Sequence, residues 1–338
     1  MFNPHNSRYT GAKTKLLRNI DSALLECFDY TKYNDLSFFD VFAGTGVVSG
    51  YFLDKKEFSH FYINDFLHSN YVIYQGFFSQ EMFNQEKLES IRQKFKALDS
   101  KNLKENYYSK HFGGKFFSFR DSKLIGEIRD RLEYLKQIKA INQKEFYILL
   151  SSLLYSLDKI ANTVGHYDAY RKKEVLKDRF SYELIPLHSK ANINIFKEDS
   201  NILAKRFLQE KKHIDIAFID PPYNSRQYSR FYHLLETLTL HNKPTLYGIA
   251  LKQEPSNLSK YCTTQAELVF IDLLEKLSKI ARILMATYNN TSNANAGSNT
   301  RLKLESIKFI LESHGKTTIF PFSYTPFSSG KTDLKTHK

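Results

Sequence analysis

Cysteine is scarce in this chain. Cys27 and Cys262 stand far apart among 338 residues, in no spacing that binds zinc or builds a disulfide framework. That scarcity points to a reducing compartment, and no metal is expected. Long apolar runs are also missing. Nothing approaches the roughly 20 residues that cross a bilayer, so neither a membrane-spanning helix nor a membrane partner is expected. The start, Met1-Phe2-Asn3-Pro4-His5, has none of the character of a secretory signal. The expected location is cytoplasmic. No internal repeat recurs along the chain.

Acid is in deficit too. The 36 Asp and Glu are outnumbered by 49 Lys and Arg, for a formal net charge of +13. Charge alone excludes little, because basic proteins also bind anionic membranes. Its pairing with 22 Tyr and 28 Phe says more. Cations contact phosphates, and aromatic faces are platforms for unstacked bases. With 42% hydrophobic residues, the chain can fill a core as one large domain or two.

The chain is organised around Asp220-Pro221-Pro222-Tyr223. The run before it, Ile214 to Ile219, is apolar and β-branched, as a buried strand requires. Two prolines cannot continue a ladder, so the backbone leaves the sheet at Asp220. An acid, a rigid pair of carbonyls and an aromatic ring then stand at the carboxyl end of a strand, where open α/β sheets bind ligands. Asp220 and the Pro221 carbonyl can each accept one N–H of a flat amino group such as N6 of adenine, with Tyr223 stacking on the ring. A plain Pro-Pro turn with a solvated Asp is the competing reading.

Other segments supply a sheet for that corner. Arg8 to Leu17 leads into a helix starting near Lys13, marked by Leu16, Leu17, Ile20 and Leu24 at helical spacing. Leu36 to Phe42 reads as a strand. The turn Ala43-Gly44-Thr45-Gly46 and a helix follow it, as in the first unit of a nucleotide-binding sheet. Ser49 stands where the dinucleotide pattern wants glycine, which disfavours a nicotinamide or flavin enzyme. A second strand, Phe58 to Ile63, closes on Asp65. That acid is 25 positions after Asp40, about where a ribose-binding acid falls, although a helix N-cap is its other reading. A third strand, Ile193 to Phe196, ends near Asp199, an acid placed to bond a cofactor's adenine amino group. Further strands are expected at Ile283 to Tyr288 and Thr317 to Phe322. Helices are expected from Phe231 to Leu238, Ala266 to Ile280 and Leu304 to His314. The polar run Asn289 to Gly297 reads as a loop, and the end from Ser328 onward as frayed.

Between these parts, residues 71–190 change character. Helical patterns dominate at Glu86 to Leu98, Asp121 to Ile138 and Gln143 to Ile160. Aromatics interleave with Lys104, Lys110 and Lys115 over Lys101 to Arg120. A polar and basic stretch, Asn162 to Lys173, includes Tyr167 and Arg171. Short polar side chains and arginine can read base edges, and the basic cluster can hold phosphates; a solvated loop between helices is the equal, competing reading. The candidate DNA-contacting residues are therefore Lys110, Lys115, Asn162, Tyr167 and Arg171, with Arg226, Tyr228 and Arg230 after the tetrapeptide. The expected division is a catalytic domain of residues 1–70 and 191–338 and a helical target-recognition insertion of residues 71–190.

In this order, a Tyr-Thr-Gly-Ala-Lys loop, a Phe-Ala-Gly-Thr-Gly loop, a helical insertion and Asp-Pro-Pro-Tyr, the chain resembles the alpha-ordered, Dam-like N6-adenine DNA methyltransferases. Asn224-Ser225-Arg226-Gln227-Tyr228 and Ala161-Asn162-Thr163 look like a branch common in restriction–modification systems. The resemblance implies an α/β, Rossmann-like sheet that uses S-adenosylmethionine, with an inserted, mainly helical target-recognition domain. It implies a sequence-specific enzyme that methylates N6 of a flipped-out adenine in double-stranded DNA. Such an enzyme is of bacterial or phage type, works at the nucleoid and can have a cognate restriction endonuclease acting on the same site, whose existence the sequence does not reveal. Tyr9, Gly11 and Lys13 would belong to the loop closing over the cofactor, and Asp40, Phe42, Gly44 and Gly46 to its methionine-side pocket. Asp65 would hold the ribose and Asp199 the adenine, while Asp220, Pro221, Pro222 and Tyr223 would be catalytic. Ala12 departs from the pattern, since Dam-like proteins usually carry a second glycine there. A cytosine C5 enzyme is rejected, because neither cysteine follows a proline. Cytosine N4 methylation and a non-catalytic DNA-binding module with a relict cofactor pocket remain as alternatives.

Overall fold

The structure, a computed structural model, describes residues 13–163, 165–186, 192–255, 257–288 and 301–322. Tyr9, Gly11 and Ala12, the loop from Asn289 to Gly297 and the end from Ser328 lie outside the described residues.

Five strands make one sheet: β1 (Leu36–Asp40), β2 (Phe58–Asn64), β3 (Asn192–Phe196), β4 (Ile214–Ile219) and β5 (Ala281–Ala286). Their order is β3-β2-β1-β4-β5, with every pairing parallel. Parallel sheets are covered on both faces, so central strands read as continuous apolar runs rather than alternating ones. All five residues of β1 are buried. Alternation persists in where the side chains go. Phe38, Ile216 and Phe218 enter one core, and Phe39, Ala217 and Ile219 the other.

On the first face lie α1 (Leu17–Cys27), α2 (Val47–Leu53) and α3 (His68–Phe77). Between β2 and β3 the chain adds α4 (Gln85–Lys96), α5 (Tyr107–Phe112), α6 (Phe119–Gln137) and α7 (Gln143–Asp158). Side-chain caps start several of these helices. Asn142, for example, accepts from the Glu145 N–H while Glu145 returns a bond to the Asn142 N–H, a reciprocal capping box. Helix α7 packs on α3 and α6. Its Leu149 and Leu153 belong to the same continuous core as Phe38 and Phe61 of the sheet. The domain boundary expected at residues 70 and 71 falls inside α3. The opposite face is covered by α8 (Ser200–Gln209), α11 (Ala266–Leu277) and α12 (Leu304–Glu312). Helices α9 (Tyr228–Phe231) and α10 (His233–Leu240) follow β4 and break at Tyr232, where one continuous helix was expected. No helix among the described residues is long and apolar enough to cross a membrane.

The helix expected near Lys13 starts there, opening as a 3-10 turn, Thr14–Leu16, that runs directly into α1. One further expectation is corrected. No strand forms over Thr317 to Phe322. Ile319 and Phe322 are exposed, and Pro321 lacks the N–H that a ladder would need there.

At the amino end of the central pair, β1 and β4 are stitched together by side chains. Asp215 Oδ2 accepts from both the backbone N–H and the hydroxyl of Ser37, each at 2.8 Å. The Asp215 N–H donates to the same hydroxyl oxygen at 2.8 Å.

Candidate active site

Four strand ends each deliver an acid to one edge of the sheet. Asp40 ends β1, Asp65 follows β2, Asp199 stands three residues past β3, and Asp220 follows β4. All four line one cleft, together with Lys13, Phe42, Gly44, Pro221, Pro222, Tyr223 and Tyr228. The chain leaves neighbouring strands β1 and β4 in opposite directions, and a parallel sheet opens a crevice at that switch point.

The glycine turn hangs from the neighbouring strand. Gly44 and Gly46 take φ of 55° and 74°, a region open to glycine at little cost. The Gly44 N–H donates to Asp65 Oδ2 at 2.9 Å, and the Ala43 N–H to the Asn64 carbonyl at 2.8 Å. The Tyr74 hydroxyl of α3 donates to the Gly44 carbonyl. A Cβ at Gly46 would meet the Tyr74 and Phe78 rings at 3.0–3.3 Å. Buried Asn64 ties three strand ends together, giving its amide N–H to the Val41 and Glu198 carbonyls (both 3.2 Å) and accepting from the Glu198 N–H.

Asp40 is 1% exposed. Its Oδ2 accepts from the Ser49 hydroxyl at 2.7 Å, whereas Oδ1, fully buried, meets no hydrogen-bond donor among the described residues. Burial, then the carboxylates of Asp220 and Asp65, push its pKa up to about 7, against the pull of the Ser49 bond. Ser49, the residue that broke the dinucleotide pattern, thus orients an acid. Asp65 accepts from the Gly44 N–H, the Leu67 N–H at 2.8 Å and the Asn70 amide at 3.0 Å. Burial raises its pKa to about 6 although these bonds oppose the shift. It therefore supports both the glycine turn and the approach to α3. Asp199 is the N-cap of α8, with Oδ1 accepting from the Asn201 and Ile202 N–H groups.

Asp220 is crowded with donors. Its Oδ2 is paired with the Lys13 ammonium, and its Oδ1 accepts from the Thr287 hydroxyl at 2.8 Å and from the Tyr223 hydroxyl. The single Tyr223 hydroxyl proton lies between the Asp220 carboxylate and the Thr287 carbonyl, and the Tyr223 ring meets Tyr288 edge-on at 5.0 Å. The expected open stacking platform is here half-buried and turned onto its own acid. Presenting Asp220 to an amine requires Lys13 or Tyr223 to swing aside.

The donor set fits S-adenosylmethionine. The donorless Asp40 Oδ1 suits an ammonium group. Thr45 Oγ1 and Asn257 Oδ1, both on the cleft wall, are likewise buried without a hydrogen-bond partner among the described residues. Buried polar atoms are rarely left so, and three around one cleft mark a polar ligand. Phe42, set edge-on to Tyr261 at 5.0 Å, adds an apolar wall.

Residues 9–289 match the family of D12 class N6 adenine-specific DNA methyltransferases. The chain belongs to this family. Among relatives, it is 33% identical to modification methylase StsI of Streptococcus sanguinis over 84% of its own length, spanning 44% of that protein. It is 28% identical to the type II methyltransferase M.NlaIII of Neisseria lactamica over 98% of its length and 95% of that protein. It is 30% identical to M.FokI of Planomicrobium okeanokoites over 97% of its length, spanning 50% of that protein.

Within this D12 methyltransferase, the residues expected to contact DNA divide in two. Lys110, Arg171, Arg226 and Arg230 are exposed, and Lys115 is half-buried. The Arg226 guanidinium lies 5.5 Å over the Phe231 ring. Asn162 and Tyr167 point inward instead. The Asn162 amide donates to the Lys115 and Arg171 carbonyls at 2.8 and 3.0 Å, and the Tyr167 hydroxyl donates to Asp158 at 2.7 Å. These two side chains bind the protein to itself and do not present their polar atoms at the surface. Tyr228 lies in the cleft wall, beside Tyr232. Sequence reasoning missed Thr287, Asn257 and Tyr261. Only Thr287 carried a signal, a hydroxyl at the carboxyl end of the strand beside β4.

Proposed function

We propose that this chain methylates N6 of adenine at a specific site in double-stranded DNA, using S-adenosylmethionine and the residues at the β1/β4 crevice. The observation that carries the reading is the pairing of Asp220-Pro221-Pro222-Tyr223 with the donorless buried carboxylate of Asp40 across the switch point. S-adenosylmethionine, when bound, supplies a methyl group on a positively charged sulfur. Asp40 holds its ammonium, Asp65 its ribose hydroxyls and Asp199 its adenine amino group, while Phe42, Gly44 and Gly46 shape the methionine side. Lys13 lines the cleft, and Tyr9 and Gly11, outside the described residues, would belong with it to the loop beside the cofactor.

A duplex hides N6 in a base pair, so the target must leave the stack, at a cost of a few kcal/mol. Lys110, Lys115, Arg171, Arg226 and Arg230 offset part of that cost through phosphate contacts. In the cleft, Lys13 withdraws from Asp220, and Tyr223 turns its ring to the adenine. The amine nitrogen is a poor nucleophile because its lone pair is delocalised into the ring. Asp220 and the Pro221 carbonyl each accept one of its N–H groups, which favours the pyramidal nitrogen formed on attack. These acceptors are fixed before the reaction and act mainly in the transition state. Family membership favours adenine N6 over cytosine N4. The intact Asp40, Asp220 and Tyr223 speak for catalysis rather than a relict pocket. The names of the relatives suggest a restriction–modification setting, with a cognate endonuclease acting on the same site.

Asp220→Ala tests the catalytic role. Label transfer from the donor to DNA should fall by roughly 10²-fold or more, the loss typical of removing one such fixed group. Cofactor affinity, read by calorimetry, should stay within a few-fold. Unchanged turnover overturns the assignment. Sequencing DNA from expressing cells for N6-methyladenine identifies the site, and its resistance to an endonuclease of that specificity tests the setting.

A further inference from the structure

Turning a base out of a duplex leaves a gap in the stack, and proteins that deform DNA often fill such gaps with apolar side chains. The chain after α10 carries such side chains on a turn that leads into the cleft wall at Asn257 and Ser259. Tyr247 and Lys252 exchange both backbone hydrogen bonds, at 2.8 and 2.9 Å, closing a tight hairpin. Gly248 and Leu251 turn it with φ of 69° and 57°. Its tip stands clear of the rest of the described residues: Tyr247 is 59% exposed and Ile249 72% exposed, and beyond these two chain neighbours no atom lies within 4 Å of where a Gly248 Cβ would sit. A single exposed apolar side chain needs no explanation. Two on one projecting turn do.

The stem is fastened to the cleft. The Ser229 hydroxyl donates to the Asn257 carbonyl at 2.9 Å, and Gln227 exchanges two bonds with the Ser259 backbone, at 3.0 and 2.8 Å. All four residues line the cleft that holds Asp220. Lys252 is ion-paired with Asp168, which ties the hairpin to the basic stretch at residues 162–173. The tip shares a recess with Arg230 and Lys252, and Glu254 is also on its wall. Apolar groups are thus flanked by cations in a recess whose Arg230 directly follows Ser229 of the cleft wall, which suits the base stack and phosphates of a duplex.

We propose that the Tyr247–Lys252 hairpin is a wedge that enters the duplex at the target position, where Tyr247 and Ile249 replace the stacking that disappears when adenine leaves. The proposal rests on the methylation reading above. It assigns the tip to neither chemistry nor sequence reading: it lowers the cost of opening a paired site.

The test uses the full chain with Tyr247→Ala and Ile249→Ala combined. It compares two duplexes carrying the methylated site, one fully paired and one with no base opposite the target adenine. A target without a partner leaves the stack more easily. The variant should lose at least tenfold in kcat/KM on the paired duplex and less than threefold on the other, with cofactor affinity by calorimetry unchanged. In the same comparison, 2-aminopurine at the target should brighten less with the variant than with the wild type on paired DNA. Equal losses on both duplexes overturn the wedge in favour of a general DNA contact. No loss on either overturns it too, as a tip that serves a protein partner would behave. If the wild type methylates no adenine in any DNA, the functional reading fails, and the wedge with it.

Discussion

At the residue scale, the buried carboxylate of Asp40 costs stability, and on the proposed reading it does so in exchange for holding the cofactor's ammonium. Its folded pKa is near 7, while an ordinary aspartate, as in the unfolded chain, titrates at 3.8. Between those values the folded state holds the extra proton, so stability falls as pH rises from about 4 to about 7 and levels off above. Asp40→Asn keeps an oxygen for Ser49 and removes the buried charge. We expect thermal melts without cofactor to show the variant more stable than wild type at pH 8, with a shallower decline between pH 5 and pH 8. Asp65 has the same sign with a pKa of about 6, so some decline remains. Calorimetry should show S-adenosylmethionine binding weakened at least tenfold by loss of the charge partner for its ammonium. A variant that binds as well as wild type removes Asp40 from the site. The placement of this acid was legible in the sequence, because a strand feeding a glycine turn leaves its last side chain at the ligand edge. Its donorless oxygen was not, because partners from distant segments appear only once the chain is packed.

At the element scale, α10, which follows the Asp220-Pro221-Pro222-Tyr223 loop, is bolted to the helix after Asp65. Glu236 of α10 is 2% exposed, and its carboxylate accepts from the Ser69 N–H at 2.7 Å and the His68 N–H at 3.2 Å, the first turn of α3. Helix starts leave such N–H groups without partners inside the helix. The other end of α10 is held from the insertion, where buried Arg129 donates to the Leu238 and Thr239 carbonyls. Glu236→Ala should cost roughly 2–3 kcal/mol, since hydrogen bonds to a charged group disappear and buried donors stay unpaired. Denaturant titration reads that loss, and Glu236→Gln should recover part of it. An acid within Leu234-Leu235-Glu236-Thr237-Leu238 was a visible anomaly in an apolar run, though its partner was not visible. The same blindness explains Asn162 and Tyr167. A polar side chain between helices reads alike whether it faces DNA or a carbonyl of its own chain. The strands were easier, since their aromatic and β-branched runs had no rival helical period. Thr317 to Phe322 had that composition too, yet it forms no strand among the described residues.

At the scale of the whole molecule, the number of phosphates its cations contact sets how binding responds to salt, and 49 basic against 36 acidic side chains leave a surplus for that role. Removing one phosphate-binding cation should flatten the plot of log affinity against log salt by about one unit. Arg171, exposed beside the inward-turned Asn162, is the clearest probe. Arg171→Ala should weaken binding to specific and unrelated duplexes alike and reduce the slope by about one, read by fluorescence anisotropy across a salt series. Weakening confined to one sequence would instead mark Arg171 as a base reader. The stitch between Ser37 and Asp215 bears on the molecule as a whole. It binds β1 and β4 at the end away from the cleft, as a spine binds two pages. Any force that parts those strands has leverage only at the free margin, so whatever enters there spreads Asp40 from Asp220 while leaving the far rim of the sheet in register.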